Sequence, residues 1–220
     1  MNRITFQWID PCSSERLRRA QQVLLESVES LGLSPNKFLA GPAMVKFADI
    51  LWQARRHSTG DAFVWCNSDV ILRRDPFEIC DRTKVHGFHR TEIPSGEICG
   101  GVDMYLIPHR IWDEVLSRDI PELWCGAAAV DWWLTRICQK SGIYESHEGY
   151  IDHPSHGRSA ASAGGDRYFK ENIRAYNEWA RRHQLGTLED VIRLPLLGVW
   201  NNSARNLLLR WKSKRIKPPP

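Results

Sequence analysis

A short apolar run that ends abruptly in polar residues constrains the fold of this chain more than any other feature of its sequence. The run is Ala62–Cys66 (AFVWC), and the turn-forming triplet Asn67-Ser68-Asp69 follows it directly. A continuous apolar run of this length is typical of a central strand whose two faces are both buried. The sequence therefore predicts a layered sheet with Asn67 and Asp69 at its carboxyl edge, where α/β folds bind ligands.

Strand and helix patterns alternate along the rest of the chain, which favours an α/β fold. Further strands are predicted at residues 3–9, 70–72, 84–88, 104–107 and 143–144. Helices are predicted from Ser13 or Ser14, from Pro42 to about Arg56, from Pro108, over 130–139 and over 166–183. Residues 34–41 are interpreted as a loop or a short extended piece, and residues 146–165 as a loop.

Length and composition indicate a soluble protein with one large domain, which we place at residues 1–195. The chain has 220 residues, and no apolar run in it approaches the ~20 residues of a membrane helix. The start of the chain lacks a secretory signal pattern, so we expect a cytoplasmic protein. Six cysteines without a CxxC pair indicate reduced thiols rather than a zinc ribbon or a disulfide framework.

The positive charge is concentrated in a basic C-terminal extension, which we place at residues 196–220. Six bases and no acid follow Asn201, although the whole chain carries only +4. These bases are Arg205, Arg210, Lys212, Lys214, Arg215 and Lys217. With leucines and a tryptophan among them, the segment is compatible with peripheral contact to the inner face of a membrane, or with a solvated helix and a disordered end. The main body shows no basic stripe, which argues against nucleic-acid binding.

The polar triplet after the apolar run contains side chains that can bind a divalent cation. Asn67 and Asp69 are two residues apart, so they point the same way from an extended chain. An amide and a carboxylate placed like this can share a hard divalent cation, which takes oxygen ligands and often a substrate diphosphate. Asn, Ser and Asp are also turn formers, so the triplet alone is compatible with a plain turn.

Four segments, taken together, resemble the GT-A glycosyltransferases. FVWCNSDVIL (63–72) is similar to an NSD variant of their strand-terminal DxD motif, which chelates Mn²⁺ or Mg²⁺ with the donor diphosphate. CGGVDMYLIP (99–108) resembles the loop and strand that line the sugar pocket, and AVDWWL (129–134) resembles the acidic motif below the acceptor site. DHPSH (152–156) is similar to the region of a late metal-binding histidine. The order and approximate spacing of all four agree with the family.

The resemblance implies a fold and a metal site. The fold is a GT-A-like, Rossmann-related three-layer sandwich with a mixed, mostly parallel sheet, in a compact variant. Asp69 would be the main ligand of Mn²⁺ or Mg²⁺, helped by the neutral Asn67 and by His153 or His156. The two histidines also form an HxxH pair that could bind zinc, and each is compatible with an ordinary loop histidine.

The resemblance also assigns residues to the donor and acceptor. Gly100 and Gly101 would allow the sugar to approach the backbone closely, and Arg158 would contact the diphosphate. In an inverting enzyme Asp131 is the general base that takes the acceptor proton, whereas in a retaining one Asp131 or Asp103 positions a substrate. An acid in the first turn of a helix is also stabilised by the helix dipole alone, and Asp103 is compatible with a plain turn carboxylate.

The predicted function is metal-dependent transfer of a sugar from a nucleotide-sugar donor to a hydroxyl of a carbohydrate or glycolipid acceptor, in bacterial polysaccharide or glycan synthesis. A catalytically degenerate binding partner in polysaccharide assembly is the alternative, prompted by Asn67 in place of an acid. A sugar nucleotidyltransferase would normally have a glycine-rich phosphate loop after its first strand, where this chain reads WIDPCSSERLRR. A metal-dependent hydrolase that uses DHPSH is a third, minor option.

Overall fold

Strands and helices form around one sheet. The computed structural model describes residues 2–10, 14–40, 45–125, 129–154 and 165–187. Its strands are β1 (Arg3–Ile9), β2 (Ser34–Ala40), β3 (Ala62–Cys66), β4 (Ile71–Leu72), β5 (Val85–Ile93), β6 (Ile98–Pro108) and β7 (Tyr144–Pro154). Its helices are α1 (Glu15–Ser30), α2 (Phe47–His57), α3 (His109–Glu114), α4 (Val130–Lys140) and α5 (Gly165–Arg182).

The seven strands of the described residues form a mixed sheet in the order β2-β1-β3-β6-β5-β7-β4. β1 pairs in parallel with β2 and β3, and β5 pairs in parallel with β7. β6 lies antiparallel between β3 and β5, and β4 lies antiparallel to β7. The carboxyl ends of β3, β5 and β7 therefore meet at one edge, and the predicted mixed, mostly parallel α/β sheet is confirmed.

β3 lies in the core, and its five residues are all buried, as its apolar run predicts. Phe63 and Trp65 pack on the face of the sheet that is covered by α2, α3, α4 and α5. Val64 and Cys66 pack on the other face, against α1 residues such as Leu24. Because helices cover both faces, the molecule has the three layers of the predicted fold class.

Two segments that were expected to be partly or wholly loop are strands in the structure. β7 continues to Pro154, although the sequence predicted a loop over 146–165, and β2 occupies residues 34–40. β2 is at the margin of the sheet, and only the two-residue β4 lies beyond β7. Strands in such positions keep one side near solvent, so they tolerate polar residues and Pro35, and their apolar signal is weak.

Other elements differ from the prediction in their bounds. β5 runs to Ile93, beyond the predicted end at residue 88, and β6 begins at Ile98, before the predicted start at residue 104. The prediction was too short because polar residues near the hairpin hide the strand pattern. α2 begins at Phe47 rather than at Pro42, which lies outside the described ranges. α1 begins after Ser14, whose hydroxyl accepts a hydrogen bond from the first turn, as predicted for a capping residue.

The predicted domain boundary at residue 195 and the basic extension 196–220 lie outside the described residues. Within the described ranges, no helix combines the length and the apolar composition needed to cross a bilayer. Among the described cysteines, Cys66, Cys80 and Cys138 have free thiols.

Candidate active site

Four neighbouring strands deliver polar side chains to the carboxyl edge of the sheet. Asn67 and Asp69 follow the end of β3, Glu92 lies near the end of β5, and His153 lies near the end of β7. β6 runs in the opposite direction between β3 and β5, so Asp103 enters the same region from the middle of that strand. Residues that are far apart in the sequence thus form one polar cluster.

His153 is held between two carboxylates. Its Nε2 lies 3.4 Å from Asp69 Oδ2, and its Nδ1 lies 2.9 Å from Glu92 Oε2. Burial of the ring acts to lower the His153 pKa, but the hydrogen bonds to Asp69 and Glu92 outweigh burial and raise it. The structure therefore brings together Asp69 and His153, two of the residues that the resemblance assigns to a metal.

Glu92 leaves one nitrogen of the His153 ring available to a ligand. A carboxylate that accepts the Nδ1–H of a histidine fixes the tautomer and the ring orientation, so Nε2 becomes the ligand atom. That Nε2 atom faces Asp69. An imidazole nitrogen and a carboxylate oxygen on facing strands can share one divalent cation.

Asp103 forms the second arm of the cluster. Its Oδ1 accepts a hydrogen bond of 2.5 Å from Asn67 Nδ2, and its Oδ2 accepts one of 2.9 Å from Arg90. Arg90 also donates to Glu92 at 2.7 Å and so connects the two arms. Because the amide nitrogen of Asn67 faces Asp103, its amide oxygen is the atom that could face a cation.

A β-bulge sets the direction of the Asp103 side chain. In the β5–β6 pair, Phe88 lies opposite Met104 and His89 lies opposite Val102, so Asp103 is an extra residue on β6. Bulges re-aim side chains and are frequent next to active sites. Val102 and Met104 pack into different faces of the sheet. Asp103 can therefore join the polar cluster while both of its neighbours remain in the core.

Asp131 lies in the first turn of α4, next to the cluster. The preceding Ala129 has a φ of 79°, in the left-handed region that non-glycine residues rarely adopt. Burial, with a smaller effect of the Asp103 charge, raises the pKa of the Asp131 carboxyl to about 7, although backbone N–H groups at the helix start act in the opposite direction. The Tyr105 hydroxyl donates to the Asp131 carbonyl at 3.0 Å and so ties this turn to β6. A carboxyl with this pKa can accept a proton near neutral pH.

Of the other residues that the resemblance assigns, the structure describes the two glycines only. Gly100 and Gly101 lie in β6 just before Asp103. A Cβ atom built on Gly101 would meet no protein atom within 4 Å, so the space beside this part of the strand is open. His156 and Arg158 lie outside the described residues.

Sequence reasoning missed Arg90 and Glu92. Both lie in the part of β5 beyond residue 88, where the strand was predicted to end. The signal was present, because Arg90 and Glu92 alternate with Thr91 in a β-compatible segment that leads to a turn. A longer predicted strand would have placed both side chains at the same sheet edge as Asp69.

Comparisons with known proteins assign this chain to no family. No protein-family model matches the sequence, and no curated protein does either. Among solved structures, the chain is similar to a glycosyltransferase involved in the glycosylation of the major capsid of PBCV-1, with 13% identity over 74% of this chain and 98% of that chain and a TM-score of 0.43.

Two further solved structures represent different enzyme classes. A mutant of Drosophila β1,4-galactosyltransferase 7, in complex with manganese, UDP-Gal and xylobiose, shows 10% identity over 74% of each chain and a TM-score of 0.49. The inositol-1-phosphate CTP transferase from T. maritima shows 6% identity over 80% of this chain and 77% of that chain, with a TM-score of 0.39. At such low identities and TM-scores, the likeness assigns no activity to this chain.

Proposed function

We propose that this chain is a metal-dependent glycosyltransferase that uses a nucleotide-sugar donor, with residues 1–195 as its catalytic unit. The observation that carries the proposal is the approach of His153 Nε2 to Asp69 Oδ2 at 3.4 Å, across 84 positions of sequence. Both residues belong to segments that resemble GT-A motifs, and this resemblance rests on sequence alone. Their meeting at the carboxyl edge of the sheet supports a shared role.

The side chains present fit a divalent cation. Asp69 and His153 would bind it, with the amide oxygen of Asn67 as a third ligand. Carboxylate and amide oxygens suit Mg²⁺ and Mn²⁺, and the imidazole nitrogen favours Mn²⁺ of the two. A cation held there would neutralise charge on the leaving diphosphate. His156 and Arg158 remain predicted contacts to the metal and to the diphosphate.

The protein's own groups would supply proton transfer and positioning. Asp131, with a pKa of about 7, would accept the proton of the acceptor hydroxyl, a role that corresponds to inversion of the anomeric configuration. Asp103 is held in place by Arg90 and Asn67, and its carboxylate can accept hydrogen bonds from sugar hydroxyls. The open space beside Gly101 would receive the donor sugar, and the acceptor is a carbohydrate or a glycolipid.

A thermal-shift screen of UDP-, GDP-, CMP- and dTDP-sugars, with and without Mn²⁺, tests the proposal. A donor at a hundredfold its Kd stabilises the protein by about 2.7 kcal/mol, which raises Tm by roughly 5–10 °C at this size. We expect one nucleotide class to give such a shift only with Mn²⁺. We expect Asp69→Asn to abolish the shift and Asp61→Asn, an exposed acid just before the amino end of β3, to retain it. A shift that needs neither Mn²⁺ nor Asp69 would contradict the metal assignment.

A turnover assay separates the enzyme from a catalytically inactive binding protein. The inactive alternative rests on Asn67, which supplies a neutral amide where the DxD motif has an acid. We expect Mn²⁺-dependent release of the nucleotide from the donor, faster when the acceptor is present. Mn²⁺-dependent binding with no release of nucleotide would favour the binding protein.

A further inference from the structure

Three potential metal ligands meet at the opposite edge of the sheet from the candidate active site. His86 lies at the start of β5, and Glu145 and His147 lie at the start of β7. β5 and β7 pair in parallel, with His86 opposite Glu145 and Phe88 opposite His147. Six positions of strand separate His86 from Glu92, which corresponds to roughly 20 Å. This cluster is therefore separate from the residues proposed for sugar transfer.

The ligand atoms of the cluster converge. One nitrogen or carboxylate oxygen from each residue lies within 4.8 Å of the other two. His86 Nδ1 lies 2.9 Å from His147 Nε2, which in turn lies 3.9 Å from Glu145 Oε1. The two nitrogens of a tetrahedral zinc site are about 3.3 Å apart, so the imidazoles need to separate by only a few tenths of an ångström to bind a cation.

In His86 and Glu145, the atoms that would not bind a metal are held by neighbouring groups. His86 Nε2 lies 2.7 Å from the Asp81 carbonyl, so Nε2 carries the proton and the lone pair of Nδ1 points at His147. Glu145 Oε2 accepts a hydrogen bond of 3.3 Å from Lys84, and its Oε1 is the atom nearer the imidazoles.

The orientation of the His147 ring is also constrained. The ring stacks on Phe88, with centroids 5.4 Å apart and planes inclined by 30°. Tyr150 contacts it edge-on at 6.0 Å. Metal sites are built in this way, with neighbouring groups orienting the ligands.

We infer that His86, Glu145 and His147 form a second metal site, for a transition cation of the Zn²⁺ type. Two imidazoles and one carboxylate are a ligand set that zinc accepts, whereas Mg²⁺ and Ca²⁺ prefer oxygen ligands throughout. Three protein ligands leave one position for water or a substrate group. A cation there would fasten β7 to β5 at the edge remote from Asp69. The inference is independent of the proposed function, because none of its ligands belongs to the sugar-transfer cluster.

Titration of the full-length protein with Zn²⁺ and with Co²⁺ tests the inference. An Asp69→Asn background removes the main proposed ligand of the donor site. We expect one equivalent of Zn²⁺ by calorimetry and a visible Co²⁺ absorption band of a low-coordinate site with nitrogen ligands. We expect His147→Gln and Glu145→Gln each to weaken binding by about tenfold or more. Both residues are partly exposed, so these variants should fold, which circular dichroism would verify.

Two control variants make the result specific. His57→Gln replaces an exposed histidine, and Glu148→Gln replaces an exposed acid on the same strand as Glu145. Both should bind Zn²⁺ as the background protein does. The inference would be overturned by the absence of a Zn²⁺ or Co²⁺ signal, or by binding that neither His147→Gln nor Glu145→Gln weakens. Either result would leave the Mn²⁺ and donor experiments on Asp69 unaffected.

Discussion

At the scale of single residues, the His153 ring of the candidate active site is constrained by two carboxylates. Asp69 contacts the ring at Nε2 and Glu92 contacts it at Nδ1, and His153 is only 3% exposed. The two carboxylates have different effects on the His153 ring. Asp69 would share a cation with the ring, whereas Glu92 decides which nitrogen carries the proton.

We expect Glu92→Gln to weaken Mn²⁺ binding by about tenfold to a hundredfold, as is usual when the partner of a metal-binding histidine is changed. Glutamine can still accept the Nδ1–H of His153, but without the charge that raises the basicity of the ring. Calorimetric titration with Mn²⁺ measures the effect. Glu97→Gln, an exposed acid in the turn between β5 and β6, is the matched control. Equal Mn²⁺ affinities of the two variants would refute this role of Glu92.

Asp131 is the residue whose ionisation should govern activity. We expect Asp131→Asn to lower kcat by about 10²- to 10⁴-fold, the usual contribution of a general base. In the unmodified protein, kcat/KM should rise with pH and level off above about pH 7, because the carboxyl must be ionised to accept a proton. Asp49→Asn is the control, since Asp49 also lies in the first turn of a helix. Similar kcat values for both variants would reduce Asp131 to a helix-dipole residue.

The same ionisation predicts a change in stability. Because the folded pKa is raised from 3.8 to about 7, the protonated carboxyl stabilises the folded state at low pH, and this contribution is lost as the pH rises through about 7. Asparagine mimics the protonated form. The free energy of unfolding of Asp131→Asn, relative to that of the unmodified protein, should therefore increase from pH 4.5 to pH 8. The increase should be about 1 kcal/mol after allowance for partial solvent screening. Urea unfolding at both pH values measures this, and Asp49→Asn should show no such trend.

At the scale of elements, α5 is tied to the loop before α4 through one buried side chain. Asn172 is fully buried; its Oδ1 accepts the Trp124 N–H at 2.7 Å, and its Nδ2 donates to the Trp124 carbonyl at 3.0 Å. The Trp124 indole also donates to Glu171 at 2.8 Å. α5 thus holds both the backbone and the side chain of Trp124.

We expect Asn172→Ala to destabilise the protein by about 1–3 kcal/mol, because the backbone N–H and carbonyl of Trp124 lose their hydrogen-bond partner. Amide hydrogen exchange should show faster opening of α5 and of the start of α4. Lys170→Ala, at an exposed position of the same helix, should stay within about 0.5 kcal/mol of the parent. If the two alanine variants unfold at the same urea concentration, this anchoring role is wrong.

The elements that the sequence predicted well are those whose apolar pattern is complete. β3 and α4 lie in the core, so burial imposes the pattern that the sequence shows. β7 was predicted only at its first residue, Tyr144, because its outer side is covered by no more than two residues of β4. Its polar stretch therefore resembles a loop in the sequence, although hydrogen bonds to β5 make it a strand.

At the scale of the whole molecule, one face of the described sheet is covered by a single helix, α1. Leu24 and Val28 of α1 are fully buried against β1 and β3. We expect Leu24→Ala to destabilise the protein by about 2–5 kcal/mol, through lost burial and the cavity left behind. Urea unfolding measures this, with Arg19→Ala as the exposed control on the same helix. A loss below 1 kcal/mol would mean that α1 adds little to the core.

The composition of the candidate site could be predicted only in part at this scale. Asp69, Asp103 and His153 stand in recognisable segments, so sequence pattern placed them in one site. Their link through Arg90 and Glu92 depends on the insertion of β6 between β3 and β5 and on the parallel pairing of β5 with β7. Strand order is a property of the assembled sheet, and no local pattern encodes it.

β7 is the last strand of the described sheet in sequence, yet it lies between β5 and β4. Ile71 and Leu72 of β4 pair with Asp152 and Ile151, so the partner of this short strand is synthesised long after it. During synthesis on the ribosome, β4 therefore cannot pair until β7 has been made. Under the proposed function, a nascent chain that has not yet reached His153 lacks one of the proposed metal ligands, so donor binding would begin only after β7 has been synthesised.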